Sequence, residues 1–151
     1  MSQSLQAARE QIAETLGFLA TTTFEVGDER FTVRSINLLS DDEQEQYDQL
    51  QIDLEGYDHE DVIVRSPITG EVIVNPKTEE PLTEKVLKVP HRIKGERVSP
   101  SHNVKLARLL LGDDEYARFK AAGGSANDIA MEIARQNRKM MERQKADSKS
   151  K

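Results

Sequence analysis

Glycines divide the last third of this chain into three short segments of helical character. Ser101 precedes the first segment, Gly112 separates the first from the second, and the glycine pair at 123–124 separates the second from the third. Serine is a good N-cap, and glycine readily adopts the left-handed conformation that ends helices. The pattern therefore predicts three consecutive helices, with Gly112 left-handed at the end of the first and Asp113 as the cap of the second.

The first of these helices is apolar on most of its circumference, which is typical of a buried helix and predicts that it forms the centre of the core. Its apolar residues are Val104, Leu106, Ala107, Leu109, Leu110 and Leu111. In the second helix, Tyr116 and Phe119 stand three residues apart. We expect both rings to close onto the leucines.

The third helix begins with a capping box formed by Ser125 and Asp128. An apolar stripe follows at helical spacing and becomes less regular after Ala134; it consists of Ala126, Ile129, Ala130, Ile133, Ala134, Met140 and Met141. Two interpretations remain open. The stripe packs entirely on the domain, or its distal half leaves the core and binds other helices, for which small alanines and adaptable methionines are suited.

The N-terminal half predicts two helices and a hairpin between them. Residues 3–20 place Leu5, Ala8, Ile12, Leu16 and Leu19 near one face of an amphipathic helix. TFEV and RFTV flank a short turn at Gly27, which predicts a β-hairpin with its phenylalanines and valines on one side. Ser40 and Glu43 form a capping box, and the helix after it carries an apolar stripe of Tyr47, Leu50, Leu54 and Tyr57.

The middle of the chain reads as a proline-rich β arm. All five prolines lie between residues 67 and 100 and divide the region into short extended pieces. Val62–Arg65 and Glu71–Asn75 are β-branched runs that predict a second hairpin around SPITG, and Leu82–Val89 predicts an edge strand. KGER at 94–97 predicts a turn.

Together these elements predict an α+β fold that is mainly α. It has a helical C-terminal core, one or two β-hairpins and an amphipathic N-terminal helix. The predicted segments are the helix at 1–22, an α+β core at 23–124 with its arm at about 62–100, and a C-terminal helix with a polar tail at 125–151.

No pattern in the sequence indicates catalysis, a metal site or a cofactor. Asp58, His59, Glu60 and Asp61 are consecutive, and four neighbours in a surface loop do not converge easily on one ion. His91 and His102 have no partner ligands and are expected at the surface. The absence of cysteine excludes disulfides and thiolate metal sites. No membrane span and no secretory signal are expected, which favours a cytosolic protein.

Charge is distributed unevenly along the chain. Residues 1–64 hold fifteen acids and three bases, whereas residues 65–151 hold twelve acids and eighteen bases. This asymmetry suits head-to-tail self-association or a partner that meets only one half; uneven composition without functional meaning is the alternative. Nucleic-acid binding is not expected, because the basic half has few aromatic residues for stacking and no recognised motif.

The chain resembles the tail assembly chaperones of long-tailed bacteriophages, especially those that infect actinobacteria. The resemblance is carried by VPHRIKGERVSPSHNVKLARLLLGDDEYARFKAAGG, by SANDIAMEIARQNRKMMERQKADSKS and by the N-terminal FEVGDERFTVRSINLLSDDEQEQYDQLQ. It covers most of the chain and is weakest over residues 60–90. A tryptophan is often seen in the last helix of that family, where this sequence has Met131-Glu132-Ile133, so no role of that aromatic is carried over.

This resemblance implies a non-catalytic protein that binds the tape measure protein, keeps it soluble and helps tail tube subunits assemble around it. It further implies a short form and a longer, frameshifted form that engages the tail tube protein. Both forms would act in the host cytoplasm and be absent from the finished virion. A structural head–tail connector or tail completion protein is the alternative function.

The family transfers no catalytic residues, so the predicted partner surface rests on the helical stripe. Ile129, Ile133, Met140 and Met141 are predicted to contact the partner, with Leu109, Tyr116 and Phe119 supporting them.

Overall fold

The computed structural model describes residues 2–149 and shows an α+β fold that is mainly helical, as predicted. In chain order its elements are α1 (Leu5–Leu16), β1 (Thr21–Val26), β2 (Glu29–Arg34), a 3-10 turn (Ile36–Leu38), α2 (Asp41–Glu55), β3 (His59–Ile63), β4 (Thr83–Leu87), β5 (Arg92–Ile93), β6 (Glu96–Arg97), α3 (His102–Leu111), α4 (Asp113–Ala122) and α5 (Ala126–Lys149). The strands form three separate antiparallel pairs: β1 with β2, β3 with β4, and β5 with β6.

The chain forms two compact units. The first contains the described residues up to Leu50 and those from Asn103 onward; the second is Gln51–His102. The predicted N-terminal segment 1–22 and the described part of the predicted segment 125–151 both fall in the first unit, together with the β1–β2 hairpin.

Phe119 lies at the centre of the hydrophobic core of the first unit. Its ring meets Phe31 edge-on with 5.1 Å between ring centroids and Phe24 with 5.9 Å. The other buried members of this cluster are Ala107, Tyr116, Ala126 and Ile129. The prediction that α3 forms the centre of the core is therefore wrong, since only Leu106 and Ala107 of that helix are buried.

The glycine pair after α4 has two separate functions. Gly123 ends the helix in the left-handed conformation at φ 114° and ψ 1°. Gly124 is where the Phe119 ring crosses the backbone, because a Cβ added there would lie 2.3 Å from the ring Cζ. Only glycine fits under the ring without a shift of the core.

Three local predictions change in the structure. α1 ends at Leu16 with Gly17 as its left-handed C-cap, so Leu19 lies beyond the helix. Gly112 has φ 84° and ψ 157°, which is not the left-handed helical conformation, and it is itself the N-cap of α4 in place of Asp113.

The two serine capping boxes are confirmed, since the Ser40 amide donates to Glu43 at 3.0 Å and the Ser125 amide donates to Asp128 at 2.9 Å.

The first hairpin is confirmed, and the second is confirmed in part. Phe24 pairs with Phe31 across β1 and β2, and the turn occurs at Gly27 with φ 61°. In the arm, β3 pairs with β4 and not with residues 71–75. His59, Glu60 and Asp61 therefore belong to a strand and not to a loop. Around SPITG the predicted pairing is present in short form. Arg65 and Val72 form an antiparallel bridge, Ser66 donates to the Glu71 carbonyl at 2.8 Å, and Ile73 donates to the Val64 carbonyl at 3.0 Å.

The tip of the arm is built from a nine-residue repeat. Residues 64–72 read VRSPITGEV and residues 73–81 read IVNPKTEEP. Val64 donates to the Leu82 carbonyl, Leu82 to Ile73 and Ile73 to Val64, so three segments nine residues apart close a ring of backbone hydrogen bonds. Each repeat forms one loop of the same construction.

The two loops differ at their left-handed position. Gly70 has φ 74° in the first loop, and Glu79 has φ 60° at the equivalent position of the second. A residue with a Cβ is strained in this conformation by about 1–2 kcal/mol. The second loop is therefore the less favourable copy.

The second unit also holds a row of three rings. Tyr57 lies 5.5 Å from His91, and His91 lies 6.1 Å from His102, measured between ring centroids. Tyr57 is buried and both histidines are half-buried. The prediction that the two histidines are ordinary surface residues is therefore wrong.

Replacing Gly124 with alanine is expected to lower the free energy of unfolding by about 2–3 kcal/mol, because the new methyl group overlaps the Phe119 ring. Gly56→Ala is the matched control: its backbone is not left-handed and its nearest neighbouring atom would be 3.6 Å away. The control is expected to change stability by less than about 0.5 kcal/mol. Urea unfolding of both variants checks this; equal stabilities would contradict the assignment of the ring to this site.

Replacing Glu79 with glycine is expected to stabilise the arm by about 0.5–1 kcal/mol, since relief of the left-handed strain exceeds the added chain entropy. The amides of Asn75 and Leu82 would exchange with solvent more slowly. Glu79→Gln removes the same charge and keeps the strain, so its exchange rates should match those of the original chain. If amide exchange slows equally in both variants, the loss of the Glu79 charge causes the effect and relief of backbone strain does not.

Candidate functional site

The candidate surface lies on α5, whose 24 residues span about 36 Å. Its first two turns are anchored in the core: Ala126 and Ile129 are buried, and Ile133 packs against the same cluster. The Ser125 hydroxyl and amide both bond to the Asp128 carboxylate and fix where the helix begins. The start and direction of α5 are therefore set by packing and capping together.

Beyond Ile133, two polar contacts hold one side of α5 to the rest of the first unit. The Gln136 side-chain amide donates to the Thr22 hydroxyl on β1 at 2.7 Å. Arg143 donates to the Glu14 carbonyl near the end of α1 at 2.8 Å. Its side chain also covers Gly17, where an added Cβ would come within 2.8 Å of the Arg143 Cδ. These contacts connect one side of the distal helix to β1 and to the end of α1.

The opposite side of α5 is an exposed stripe, called here the α5 stripe. It consists of Met131, Ala134, Arg138, Met141 and Lys145, which are all exposed and follow one another at intervals of three or four residues. Met131 is 64% exposed and Met141 is 66% exposed. Two large flexible apolar side chains thus stand about 15 Å apart on one face, with a small residue between them.

The predicted contact residues fall on different sides of this helix and of the core. Phe119, Tyr116 and Ile129 are buried. Leu109, Ile133 and Met140 are half-buried, and Met141 alone of the seven is exposed. Ile129 cannot reach a partner while the core is intact, so its place in the predicted contact surface is corrected to a core position.

Sequence reasoning missed Met131 as a surface residue. The signal was present, because Met131 is ten residues before Met141 and Ala134 and Arg138 lie between them on the same face of the helix. The spacing of Ile129 and Ile133 sets the predicted phase of the helix, and both residues belong to the core face. The exposed stripe is rotated away from that face.

The charges near the α5 stripe are of two kinds. Arg135 forms an ion pair with Glu132, and Gln136 donates to the same carboxylate at 3.1 Å. The hydrogen bond from Arg135, assisted by the one from Gln136, lowers the pKa of Glu132 to about 2. By contrast, Arg138 and Lys145 form no ion pair within residues 2–149. The α5 stripe therefore offers apolar contact together with two uncompensated cations.

A second exposed apolar face lies on α1, where Leu5, Ile12 and Leu16 are 45–64% exposed and Ala13 is buried. This face differs from the α5 stripe in charge: the helix carries Glu10 and Glu14 and a single base, Arg9. A partner with an apolar centre and acidic flanks would therefore bind the α5 stripe in preference to the α1 face.

Across residues 2–149, no group of three or more His, Asp or Glu side chains is placed to hold a metal ion. In the same described range, no helix combines the length and apolar character needed to span a membrane.

Comparison of the chain with protein family models, with curated proteins and with solved structures gave no match.

The depressed pKa of Glu132 predicts a pH-dependent contribution to stability. A carboxylate whose pKa is lower in the folded state stabilises the fold above its unfolded pKa, near 4.3, and loses that contribution as the pH falls toward about 2. Glu132→Gln is expected to cost about 1 kcal/mol at pH 7, since Arg135 is partly solvated, and almost nothing at about pH 2. Urea unfolding across this range measures the difference. Glu142→Gln on the same helix is the control, and an equal pH dependence in both would contradict the assignment.

Proposed function

We propose that the chain is a phage tail assembly chaperone that binds the tape measure protein, keeps it soluble and promotes assembly of the tail tube. The sequence resemblance supports the family. The exposure of the α5 stripe is the structural observation that carries the proposal, because a chaperone for a long helical client needs an accessible apolar helix face.

The physical character of the α5 stripe suits a reversible contact. Methionine side chains adapt to differently shaped partners, and Ala134 lets a second helix approach closely. With two large apolar side chains on the stripe, each contact would be weak enough for tube subunits to displace the chaperone. The longer, frameshifted form would add contacts to the tail tube protein.

The remaining surface would keep the complex in solution. The chain carries 32% charged residues and a net charge of −6. A strongly charged surface opposes association between covered client segments. The site of action would be the host cytoplasm.

Replacing Met131 and Met141 with lysine together is expected to reduce soluble tape measure protein about tenfold or more in co-expression, since the apolar centre of the contact is lost. Both side chains are exposed, so the fold should be unaffected. Leu5→Lys is the matched control: Leu5 on α1 is 64% exposed, as Met131 is. It should leave the client soluble. Client solubility that survives the α5 variant would rule out the α5 stripe as the binding face.

Mass spectrometry of purified virions separates this function from that of a head–tail connector or tail completion protein. A chaperone is expected to be absent from the particle. Its presence at a fixed copy number would favour the structural alternative.

A further inference from the structure

The helix α2 presents an acidic face with one apolar residue at its centre. Asp41, Glu45, Asp48, Ile52 and Glu55 lie within a narrow arc of the helix and are all exposed. Ile52 is 56% exposed. Within the described chain, none of the four carboxylates forms an ion pair. From Asp41 to Glu55 the helix carries seven acids and no base.

This acidic face is the counterpart of the α5 stripe residue by residue. On α2, Asp48 precedes Ile52 by four residues and Glu55 follows it by three. On α5, Lys145 follows Met141 by four residues and Arg138 precedes it by three. If the two helices pack antiparallel with Ile52 against Met141, Asp48 faces Lys145 and Glu55 faces Arg138.

We propose that a second copy of this chain docks its α2 antiparallel on the α5 stripe. Ile52 of one copy covers Met141 of the next, and two carboxylate–cation pairs flank this contact. Within residues 2–149 neither cation and neither carboxylate of these pairs forms an ion pair, although the Gln44 side-chain amide donates to Asp48 at 2.9 Å, so association gives each of the four charges an oppositely charged partner. Electrostatic complementarity of this kind fixes register and steers encounter.

The two surfaces are different, so the contact is heterologous. Each copy that uses its α2 keeps a free α5 stripe, and each copy that uses its α5 keeps a free α2. Association therefore builds either an open head-to-tail chain or a ring in which every α2 and every α5 stripe is occupied.

In combination with the proposed function, on which this step rests, a neighbouring α2 and the client would compete for one surface. The chaperone would cover its own apolar stripe when no client is present. Release of α2 would then expose the stripe at the moment of client binding.

Charge reversal on either side tests the contact with the full-length chain. One variant combines Arg138→Glu with Lys145→Glu, and the other combines Asp48→Lys with Glu55→Lys. Each variant alone places like charges on both surfaces and should sediment as a monomer at concentrations where the original chain associates. An equimolar mixture should associate again, because every junction then joins opposite charges. The chain with all four substitutions should also associate.

Sedimentation velocity at ionic strengths of about 0.01 M and 1 M gives the second measurement. Charges interact over about 30 Å in the first condition and about 3 Å in the second, so the association constant should fall about tenfold or more. The proposal is overturned if the original chain stays monomeric at low salt, if either variant alone associates as the original chain does, or if mixing restores nothing. Because rescue by mixing requires two folded partners, misfolding cannot imitate it.

The same variants separate this inference from the proposed function. The Asp48→Lys and Glu55→Lys variant keeps its α5 stripe and should still hold the tape measure protein in solution. If it does so while the original chain is monomeric, the client and not a second copy is the partner of α5. If the original chain associates as described and the client stays insoluble, the self-association stands and the chaperone function fails.

Discussion

The contact between the Phe119 ring and the backbone of Gly124 is the constraint on which the first unit depends. The ring occupies the volume that any side chain at residue 124 would need, so the turn from α4 into α5 closes tightly over it. The same ring meets Phe24 and Phe31 of the hairpin edge-on. Arg118, one residue earlier, lies 4.3 Å above the Phe31 ring and pairs with Glu29 at 3.0 Å, which ties α4 to β2 from the polar side. The position of the hairpin and the direction of α5 therefore follow from one aromatic side chain.

The second unit is held in a different way, because Tyr57 and Val98 are the buried apolar residues of its fully described length. Polar and ring contacts replace a core there. The Asp58 carboxylate accepts from the Lys94 and Gly95 amides at 2.9 and 2.8 Å and thereby fixes the turn between β5 and β6. Those two hydrogen bonds, led by the one from Gly95, lower the pKa of Asp58. Two further contacts hold this unit: the row of rings formed by Tyr57, His91 and His102, and the ring of backbone hydrogen bonds at the tip of the arm. A two-stranded hairpin is marginal in water, so these contacts explain how the arm keeps a defined structure.

Features that depend on neighbours in sequence could be predicted, and features that depend on distant pairing could not. Both serine capping boxes and the Gly27 turn need only residues a few positions apart. The partner of β3 lies about twenty residues away, beyond a closer β-branched run that pairs with the residues directly after β3, and no local rule divides the pairing in this way. The internal repeat is visible in the sequence as SP-T-E and NP-T-E nine residues apart, a period far shorter than the 20–50 residues that identify the usual repeat folds. On α5, the spacing predicted an amphipathic helix correctly and misplaced its exposed face, because Ile129 and Met131 are both apolar and only packing decides which is buried.

The α5 stripe is exposed, and residues close to both of its methionines contact the rest of the first unit. Ile129 is buried two residues from Met131, and the Arg143 side chain is fixed on the Glu14 carbonyl two residues from Met141. A partner that docks on this stripe orders two methionines and two long cations but does not have to order the helix. The conformational entropy lost on binding is therefore that of side chains, and the favourable free energy comes from a few apolar contacts and two charge pairs. Both terms are small, which is the condition for a surface that exchanges one helical partner for another without unfolding.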